Sequence, residues 1–336
     1  MPVDLATLGW DEGWAAAFAP HAAEGLVPAR VGIEFNHILR VYADAGEWQA
    51  QHAGRMKHRA GGRRHLAAVG DWVAVRPGVG EPMATIEAVL PRRTKFSRKV
   101  AGELTEEQVV AANIDTVFIV MGLDGDYNPR RLERYVLLTG HSGARPVVLL
   151  NKIDLAGDTA RAMEEIRASA PGTPVHHVSA LHAQGLDAIA HHLGPGKTGA
   201  LLGSSRAGKS TIINAVMGEH FMKTQDVRAR DSRGRHTTRH RQLIVMPGVG
   251  LLIDTPGMRE LQLWTDTDTA AESFDDIEAL AAGCRFNDCR HRDEPRCAVK
   301  TAVENGELAA SRLASYRKLQ EELRALAARK DERKRR

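Results

Sequence analysis

Short runs of apolar residues that alternate with polar ones fill the chain between about residues 30 and 95. Gly, Asp and Pro separate five of these runs: ARVGIEF, HILRVYA, GEWQAQHAG, DWVAVRP and ATIEAVLP. Alternation with a period of two, bounded by turn residues, is typical of strands in a small β-barrel. We therefore predict a five-stranded barrel of the oligonucleotide-binding type, after an amphipathic helical lead-in that ends at Pro28. A barrel with only a structural or spacer role is the alternative.

The pattern changes between about residues 110 and 260, where apolar residues follow one another without alternation. The stretches DTVFIVM at 115–121 and RPVVLLN at 145–151 are examples. Strands that are covered on both faces of a parallel sheet have this composition. Helical stretches lie between them, which favours a doubly wound α/β domain. Beyond residue 260 the pattern is helical, with a Cys- and His-rich break at 284–297.

These patterns predict a multidomain α/β protein with four segments. They are a helical extension over 1–29, a barrel over 30–100, an α/β domain over 101–260 and a helical domain over 261–336. No apolar stretch approaches the ~20 residues of a membrane span, and the N-terminus is unlike a signal peptide. The three cysteines lie in one short segment and are a poor disulfide framework. We expect a cytoplasmic protein without a membrane partner, and nothing demands more than a monomer.

Charge is nearly balanced over the whole chain, with 46 basic and 42 acidic residues, but it is unevenly distributed. Basic clusters lie at 55–65 and 91–99, and the tail 324–336 carries seven basic and two acidic residues. Such clusters attract nucleic-acid phosphates through charge and counterion release. Solubilising loops and a solvated tail are the alternative interpretation.

A phosphate-binding loop is indicated by GSSRAGKS at 203–210, which lies between an apolar strand and a helical stretch. Its glycines let backbone N–H groups face an anion at the start of the helix. Lys209 would reach the β- and γ-phosphates, and the hydroxyl of Ser210 would bind Mg²⁺. A chance Gly-rich turn is the alternative. The predicted nucleotide contacts here are Gly203, Ser204, Ser205, Arg206, Ala207, Gly208, Lys209, Ser210 and Thr211.

Two further segments fit the phosphate end of such a site. In LLIDTPG at 251–257, Asp254 would hold Mg²⁺ through water and the Gly257 N–H would approach the γ-phosphate. The polar segment RGRHTTRH at 233–240 has no apolar periodicity and is predicted to be a switch loop. Either Thr237 or Thr238 would bind the magnesium ion, and the sequence does not choose between them.

A guanine-binding loop is indicated by NKID at 151–154, directly after the apolar run PVVLL. The Asp154 carboxylate can accept two hydrogen bonds from guanine that adenine does not offer, which favours GTP and GDP as ligands. Asn151 would brace the loops, the Lys152 stem would cover the base, and Ile153 completes the loop. In the motif SAL at 179–181, Ser179 and Ala180 would complete the site, with the Ala180 N–H directed at the guanine carbonyl.

The order of these motifs is unusual, because the guanine loop precedes the phosphate loop. Moving 199–260 in front of 110–195 restores the order of an ordinary small GTPase, so we predict a circularly permuted P-loop GTPase domain. Met258 occupies the position at which many GTPases have a Gln that orients water, which predicts slow intrinsic hydrolysis. His236 is the candidate catalytic substitute within the chain, and a solvent-exposed loop histidine is the alternative.

A metal site is indicated by CRFNDCRHRDEPRC, which places three cysteines and one histidine in 14 residues. Three thiolates and an imidazole complete a tetrahedral shell and leave no open position, so one structural zinc ion is expected. Reduced thiols near a surface histidine are the alternative. The predicted ligands are Cys284, Cys289, His291 and Cys297.

Together these motifs resemble the ribosome small-subunit-dependent GTPases, a circularly permuted family that acts in late small-subunit maturation. The resemblance covers most of the chain and rests on VGDWVAV, NKIDL, GSSRAGKST, GRHTT, LIDTPGMREL and CRFNDCRHRDEPRCAV. It implies an oligonucleotide-binding barrel, a permuted GTPase core, a zinc-binding C-terminal domain, and GTP hydrolysis that the small ribosomal subunit stimulates. The small subunit and its rRNA are the implied partners. It also implies a catalytic role for His236. Arg206 and Ala207 stand where the family usually has Gly-Val, so nucleotide affinity is not carried over.

Two other functions compete with this interpretation. One is an RNA-binding adaptor in which GTP is a conformational ligand with little turnover. The other is a metabolic or signalling GTPase that does not bind RNA. It would bind acidic protein surfaces, with an affinity that falls little between low and moderate salt.

Overall fold

The computed structural model describes fourteen stretches of the chain, which all later statements about the structure concern. They are residues 4–35, 38–59, 63–78, 83–99, 107–124, 127–155, 159–204, 206–218, 241–254, 274–286, 289–310, 312–314, 316–317 and 320–321. The chain folds into two compact units, Met1–Leu263 and Trp264–Arg336. The finer division into four segments remains a proposal. In the part of the chain that the structure describes, no helix is long and apolar enough to cross a membrane.

Helix α1 (Glu12–Ala22) opens the first unit, and the Asp11 side chain caps it by accepting a hydrogen bond from the Trp14 N–H at 3.1 Å. The predicted lead-in helix is too long, because Pro28 lies inside the first strand and pairs with Ala74. The chain turns at Gly25, whose φ of +70° suits glycine and ends the helical region early.

The N-terminal strands form a closed five-stranded barrel, as predicted. Its strands are β1 (Val27–Phe35), β2 (Ile38–Ala43), β3 (Gly46–His52), β4 (Trp72–Arg76) and β5 (Met83–Val89). β1, β2 and β3 pair antiparallel, β3 pairs parallel with β5, and β4 joins β5 to β1. Helix α2 (Gly54–Arg59) follows β3. This connectivity, and the alternating burial along β2 and β5, agree with an oligonucleotide-binding barrel.

A hairpin outside the barrel follows, formed by β6 (Lys95–Lys99) and β7 (Glu107–Ala112). The sequence analysis did not predict this hairpin, because its first strand lies in the basic cluster 91–99 and its second strand begins before the apolar runs of the α/β domain.

Two arginines of the predicted basic cluster 91–99 are engaged in ion pairs. Arg92 binds both carboxylate oxygens of buried Asp71, at 2.8 and 2.7 Å. Arg93 binds Asp11 at 2.6 Å and lies over the Trp14 ring, and its hydrogen bonds lower the pKa of Asp11 to about 2. These two of the five basic residues in the cluster therefore stabilise the fold, and their charges are already neutralised.

The α/β domain is the doubly wound sheet that the sequence predicts, in the order β10-β9-β8-β11-β13-β12. The strands are β8 (Thr116–Gly122), β9 (Arg145–Asn151), β10 (Val175–His177), β11 (Thr198–Leu202), β12 (Arg241–Met246) and β13 (Gly250–Asp254). All neighbours are parallel except β12, which is antiparallel to β13. The helices are α3 (Pro129–Ser142), α4 (Thr159–Ser169), α5 (Asp187–His192) and α6 (Lys209–Met217). Consecutive burial in β8 explains its unbroken apolar run.

A buried arginine joins the barrel to this sheet. Arg30 of β1 donates to the Thr198 hydroxyl at 2.7 Å, to the Gly70 carbonyl at 3.3 Å and to the Leu8 carbonyl. Thr198 begins the strand that leads into the predicted phosphate loop. Desolvation of its guanidinium lowers the pKa of Arg30 to about 10, so it stays charged at neutral pH.

The second unit contains helix α7 (Asp275–Ala281) and helix α8 (Ala298–Glu304), with the Cys- and His-rich segment between them. Phe274, Ile277 and Val299 are fully buried in this unit. The basic tail 324–336 lies outside the described residues.

Candidate nucleotide-binding site

Three loops that are far apart in sequence meet at the carboxyl edge of the parallel sheet. Asn151, at the end of β9, donates through Nδ2 to the Ala207 carbonyl at 2.9 Å. Its Oδ1 accepts a hydrogen bond from the Ala180 N–H at 3.0 Å, so the N–H that the sequence predicts to face the guanine carbonyl instead joins the two loops. Because Asn151 is only 2% exposed, both bonds are shielded from water. The expected convergence of the 151, 179 and 203 loops is therefore confirmed, and Asn151 braces them.

The phosphate loop is shaped by two glycines that leave no room for a side chain. A Cβ at Gly208, where φ is +96°, would lie 2.3 Å from Asn151 Nδ2. A Cβ at Gly203 would lie 2.4 Å from the Val120 carbonyl oxygen. The loop can therefore curl tightly over the sheet edge, which is the geometry that a backbone anion site needs.

Lys209 begins helix α6 and turns back into this loop, where its Nζ donates to the carbonyls of Gly203, at 2.8 Å, and Ser204. The first N–H groups of a helix have no intrahelical acceptor and carry partial positive charge. The loop thus places an ammonium group next to a helix N-terminus, which suits a phosphate group.

The remaining predicted phosphate-end residues have different positions. Arg206, Ser210 and Thr211 are exposed, whereas Ala207 is buried. Asp254 ends β13, which pairs with the strand before the phosphate loop, and it is partly buried. Five predicted residues lie outside the described part of the chain: Ser205, His236, Thr237, Thr238 and Gly257.

The predicted guanine end is also organised by hydrogen bonds. Asp154 lies in a 3-10 turn, Ile153–Leu155, and its carboxylate accepts a hydrogen bond from the Ser179 hydroxyl at 2.6 Å. This bond, more than any other contact, lowers the pKa of Asp154, so the carboxylate is charged at neutral pH. An ionised, oriented carboxylate can accept hydrogen bonds from two adjacent N–H groups of a base.

Asp124 is a contact that the sequence analysis missed. Its carboxylate forms an ion pair with Lys152 Nζ, and Lys152 itself has a φ of +66°, which is uncommon for a residue with a side chain. Asp124 follows the buried strand β8. An acidic residue just after a parallel strand was the available signal, because strand ends of this kind meet at one edge. The pair orients the Lys152 side chain within the predicted guanine loop.

A second candidate site, in the C-terminal unit, brings together the predicted zinc ligands. The four ligand atoms of Cys284, Cys289, His291 and Cys297 all lie within 4.8 Å of one another. The sulfurs of Cys284 and Cys297 are 3.8 Å apart, and His291 Nδ1 lies 3.6 and 3.3 Å from them.

These separations match the size of a zinc shell. Zn–S bonds of about 2.3 Å place two sulfurs about 3.8 Å apart across a tetrahedron. His291 and Cys297 are each 3% exposed, which would limit access of water to a bound ion. The cluster could therefore hold a zinc ion.

The comparisons with known proteins agree with this geometry. A family model of RsgA GTPases matches residues 89–264. The chain is 49% identical to the small ribosomal subunit biogenesis GTPase RsgA of Opitutus terrae, with 97% of this chain and 91% of the relative covered. It is 46% identical to the protein of the same name from Xanthomonas axonopodis pv. citri, with 96% and 89% covered.

Two solved structures have a similar fold. The crystal structure of YjeQ from Thermotoga maritima aligns with a TM-score of 0.65 at 26% identity, over 89% of this chain and 98% of the other. YloQ, described as a circularly permuted GTPase, aligns with a TM-score of 0.62 at 22% identity, over 89% and 96%. With its guanine and phosphate loops joined in permuted order and its sequence matched over nearly its whole length, the chain belongs to the RsgA GTPase family and is a GTP-hydrolysing enzyme.

Proposed function

We propose that this GTPase binds the small ribosomal subunit and its rRNA, that it acts in late maturation of the subunit, and that the subunit stimulates its GTP turnover. The observation that carries the proposal is the link from Asn151 to Ala207 and Ala180, which holds three loops together at one edge of the sheet. The names of the relatives from Opitutus terrae and Xanthomonas axonopodis support the ribosomal role. The barrel, whose fold often binds oligonucleotides, supports contact with RNA.

The site residues have distinct roles in this proposal. The residues at 151–154, 179–180 and 203–211 bind GTP and GDP, with Asp154 selecting guanine and Lys209 holding the phosphates. Ser210 and either Thr237 or Thr238 are the residues that would hold Mg²⁺, with Asp254 acting through water. Bound magnesium would offset charge on the phosphate oxygens. His236 is the proposed catalytic residue.

Other parts of the proposal concern the second unit and the state of the protein. The four-residue cluster at 284–297 would hold one zinc ion, which would supply structural stability and no catalytic position, because all its ligands come from protein. We further propose that the protein is cytoplasmic and monomeric, and that the tail 324–336 contributes to RNA binding through its positive charge.

Asp154→Asn is expected to weaken GDP binding about 10- to 100-fold while leaving the protein folded. The amide keeps one acceptor oxygen but presents an N–H₂ group where guanine also has a donor, and a hydrogen bond to a charged group is lost. Calorimetry with GDP and ADP measures the change. Leu155→Ala alters the adjacent exposed side chain and is expected to have little effect, and equal GDP affinity in Asp154→Asn would contradict the assignment.

The proposed ribosomal role is tested by GTP turnover titrated with purified small subunits. Turnover should rise with small subunits and should not rise with large subunits. Bare rRNA distinguishes recognition of RNA alone from recognition of the assembled subunit. Binding to small subunits without added turnover would favour the RNA-binding adaptor. The remaining case is that small subunits neither bind nor raise turnover, and that the affinity of the purified protein for its partner is insensitive to salt. A GTPase that does not act on RNA is then the better interpretation.

A further inference from the structure

The barrel and the GTPase sheet are joined by paired strands. Strand β1 of the barrel pairs antiparallel with strand β12 of the GTPase sheet, with Ile33 opposite Gln242 and Glu34 opposite Arg241. The two structures therefore form one continuous sheet of 11 strands. Because hydrogen bonds between paired strands resist sliding of one strand past the other, a displacement of β1 is transmitted to β12.

An ion pair reinforces this join. Arg241 Nη1 lies 2.6 Å from Glu34 Oε2, and the two side chains are only 13% and 26% exposed. A charge-assisted bond in this partly shielded setting is stronger than a pair in open solvent. For comparison, the Arg40–Glu47 pair between two barrel strands is 43% and 44% exposed.

The join lies at the edge of the sheet that carries the nucleotide site. Because β12 is antiparallel to β13, its first residues lie next to the last residues of β13, and Gln242 is opposite Asp254. Gln242 thus has Ile33 of the barrel on one side and Asp254 on the other. Arg30 also crosses between the two structures, but its contact Thr198 is at the opposite, amino end of β11.

The barrel end of the paired strands β1 and β12 is suited to contact with a ligand. Phe35 follows Glu34 directly and Ile38 begins the next strand, and these two side chains are 50% and 42% exposed. An exposed aromatic ring at the end of a strand can stack against an unpaired RNA base. A ligand bound at Phe35 and Ile38 would contact strand residues next to the Glu34–Arg241 ion pair.

We propose that Glu34 and Arg241 are positioning residues that transmit contact of RNA with the barrel to Asp254, and so raise GTP turnover. The proposal rests on the proposed ribosomal function, since it names the route by which the subunit stimulates the enzyme. Neither residue touches the nucleotide in this scheme. Their substitution should change only the stimulated rate of GTP turnover, because the paired strands β1 and β12 influence the nucleotide site only when RNA is bound to the barrel.

The test compares Glu34→Gln with wild type by measuring kcat and KM for GTP without small subunits and at saturating small subunits. The stimulated kcat is expected to fall about two- to thirtyfold, the range found for mutations that carry coupling between sites. The kcat without subunits and the subunit concentration for half-maximal stimulation should stay unchanged. Glu47→Gln is the matched control, because it breaks a barrel ion pair that does not reach β12.

A charge exchange tests the pair itself. Arg241→Glu alone should lose stimulation, and Glu34→Arg combined with Arg241→Glu should regain part of it, whereas a general loss of folding would not be rescued. Glu34→Gln with full stimulation, or an exchange that regains none, would overturn the route while leaving the ribosomal role intact. Wild-type enzyme that subunits do not stimulate would overturn both proposals, so the two failures are distinguishable.

Discussion

Lys209→Ala is expected to lower kcat/KM for GTP by about 10²- to 10³-fold or more, which is the loss typical of removing one preorganised group that stabilises developing charge. The Lys209 ammonium lies inside the phosphate loop, within hydrogen-bonding distance of the Gly203 carbonyl at 2.8 Å. Phosphoryl transfer depends on such charges, because the protein contributes positioning and electrostatic stabilisation more than covalent chemistry. Steady-state turnover over a range of GTP concentrations measures the effect.

Arg206→Ala is the matched control for this prediction. Arg206 carries the same charge and is also a proposed nucleotide contact, but its side chain is exposed to solvent, where charges are screened, so its removal should change kcat/KM much less. The two variants separate a specific role of Lys209 from a general effect of positive charge near the loop. Comparable losses in both variants, or near-normal turnover in Lys209→Ala, would contradict the assignment of Lys209 to the phosphates.

Cys297→Ser is expected to abolish stoichiometric zinc binding and to unfold the described part of the C-terminal unit. Cys297 is buried, and its sulfur lies 3.8 Å from the Cys284 sulfur and 3.3 Å from His291 Nδ1. Its substitution therefore removes one of the four proposed zinc ligands. Structural zinc binding is worth about 10–16 kcal/mol in small zinc domains, more than such a unit gains from its core. Metal analysis and hydrogen exchange of peptides from 274–317 measure the two effects.

Chelation of the wild-type protein provides the comparison for this variant. Removing zinc should reproduce the faster exchange of Cys297→Ser, and chelator should then have no further effect on the variant. GDP affinity should be nearly unchanged in both cases, because the proposed nucleotide residues all lie in the other compact unit. Unchanged exchange protection of 274–317 after complete removal of zinc would show that the cluster does not stabilise the unit.

The sequence was most informative where the structure depends on residues that are close together along the chain. Alternation predicted the five barrel strands and consecutive apolar runs predicted the parallel sheet, because each pattern reflects which faces of a single strand are buried. The loop glycines were predictable for a similar reason. Gly208 has a positive φ and almost no space for a Cβ. The backbone of the phosphate loop therefore requires glycine there, and the sequence motif shows this requirement directly.

Charge was a poorer guide, because the partner of a charged residue can be distant in sequence. Arg93 counted toward a basic cluster for nucleic acid, yet it binds Asp11 across 82 residues. Arg92 likewise binds buried Asp71. A run of arginines predicts a positive surface only if no carboxylate is folded against it, and the run itself does not contain that information.

Local pattern therefore predicted the type of each strand and helix, the loops with phosphate and guanine chemistry, and the residues of the metal cluster. The packed chain was needed to show that Asn151 joins three loops, that Asp124 orients Lys152, and that Glu34 meets Arg241 across the barrel and the sheet. Periodicity and motifs are set by residues that are close along the chain. These contacts instead join segments 28 to 207 residues apart, and they form only when the strands are arranged side by side.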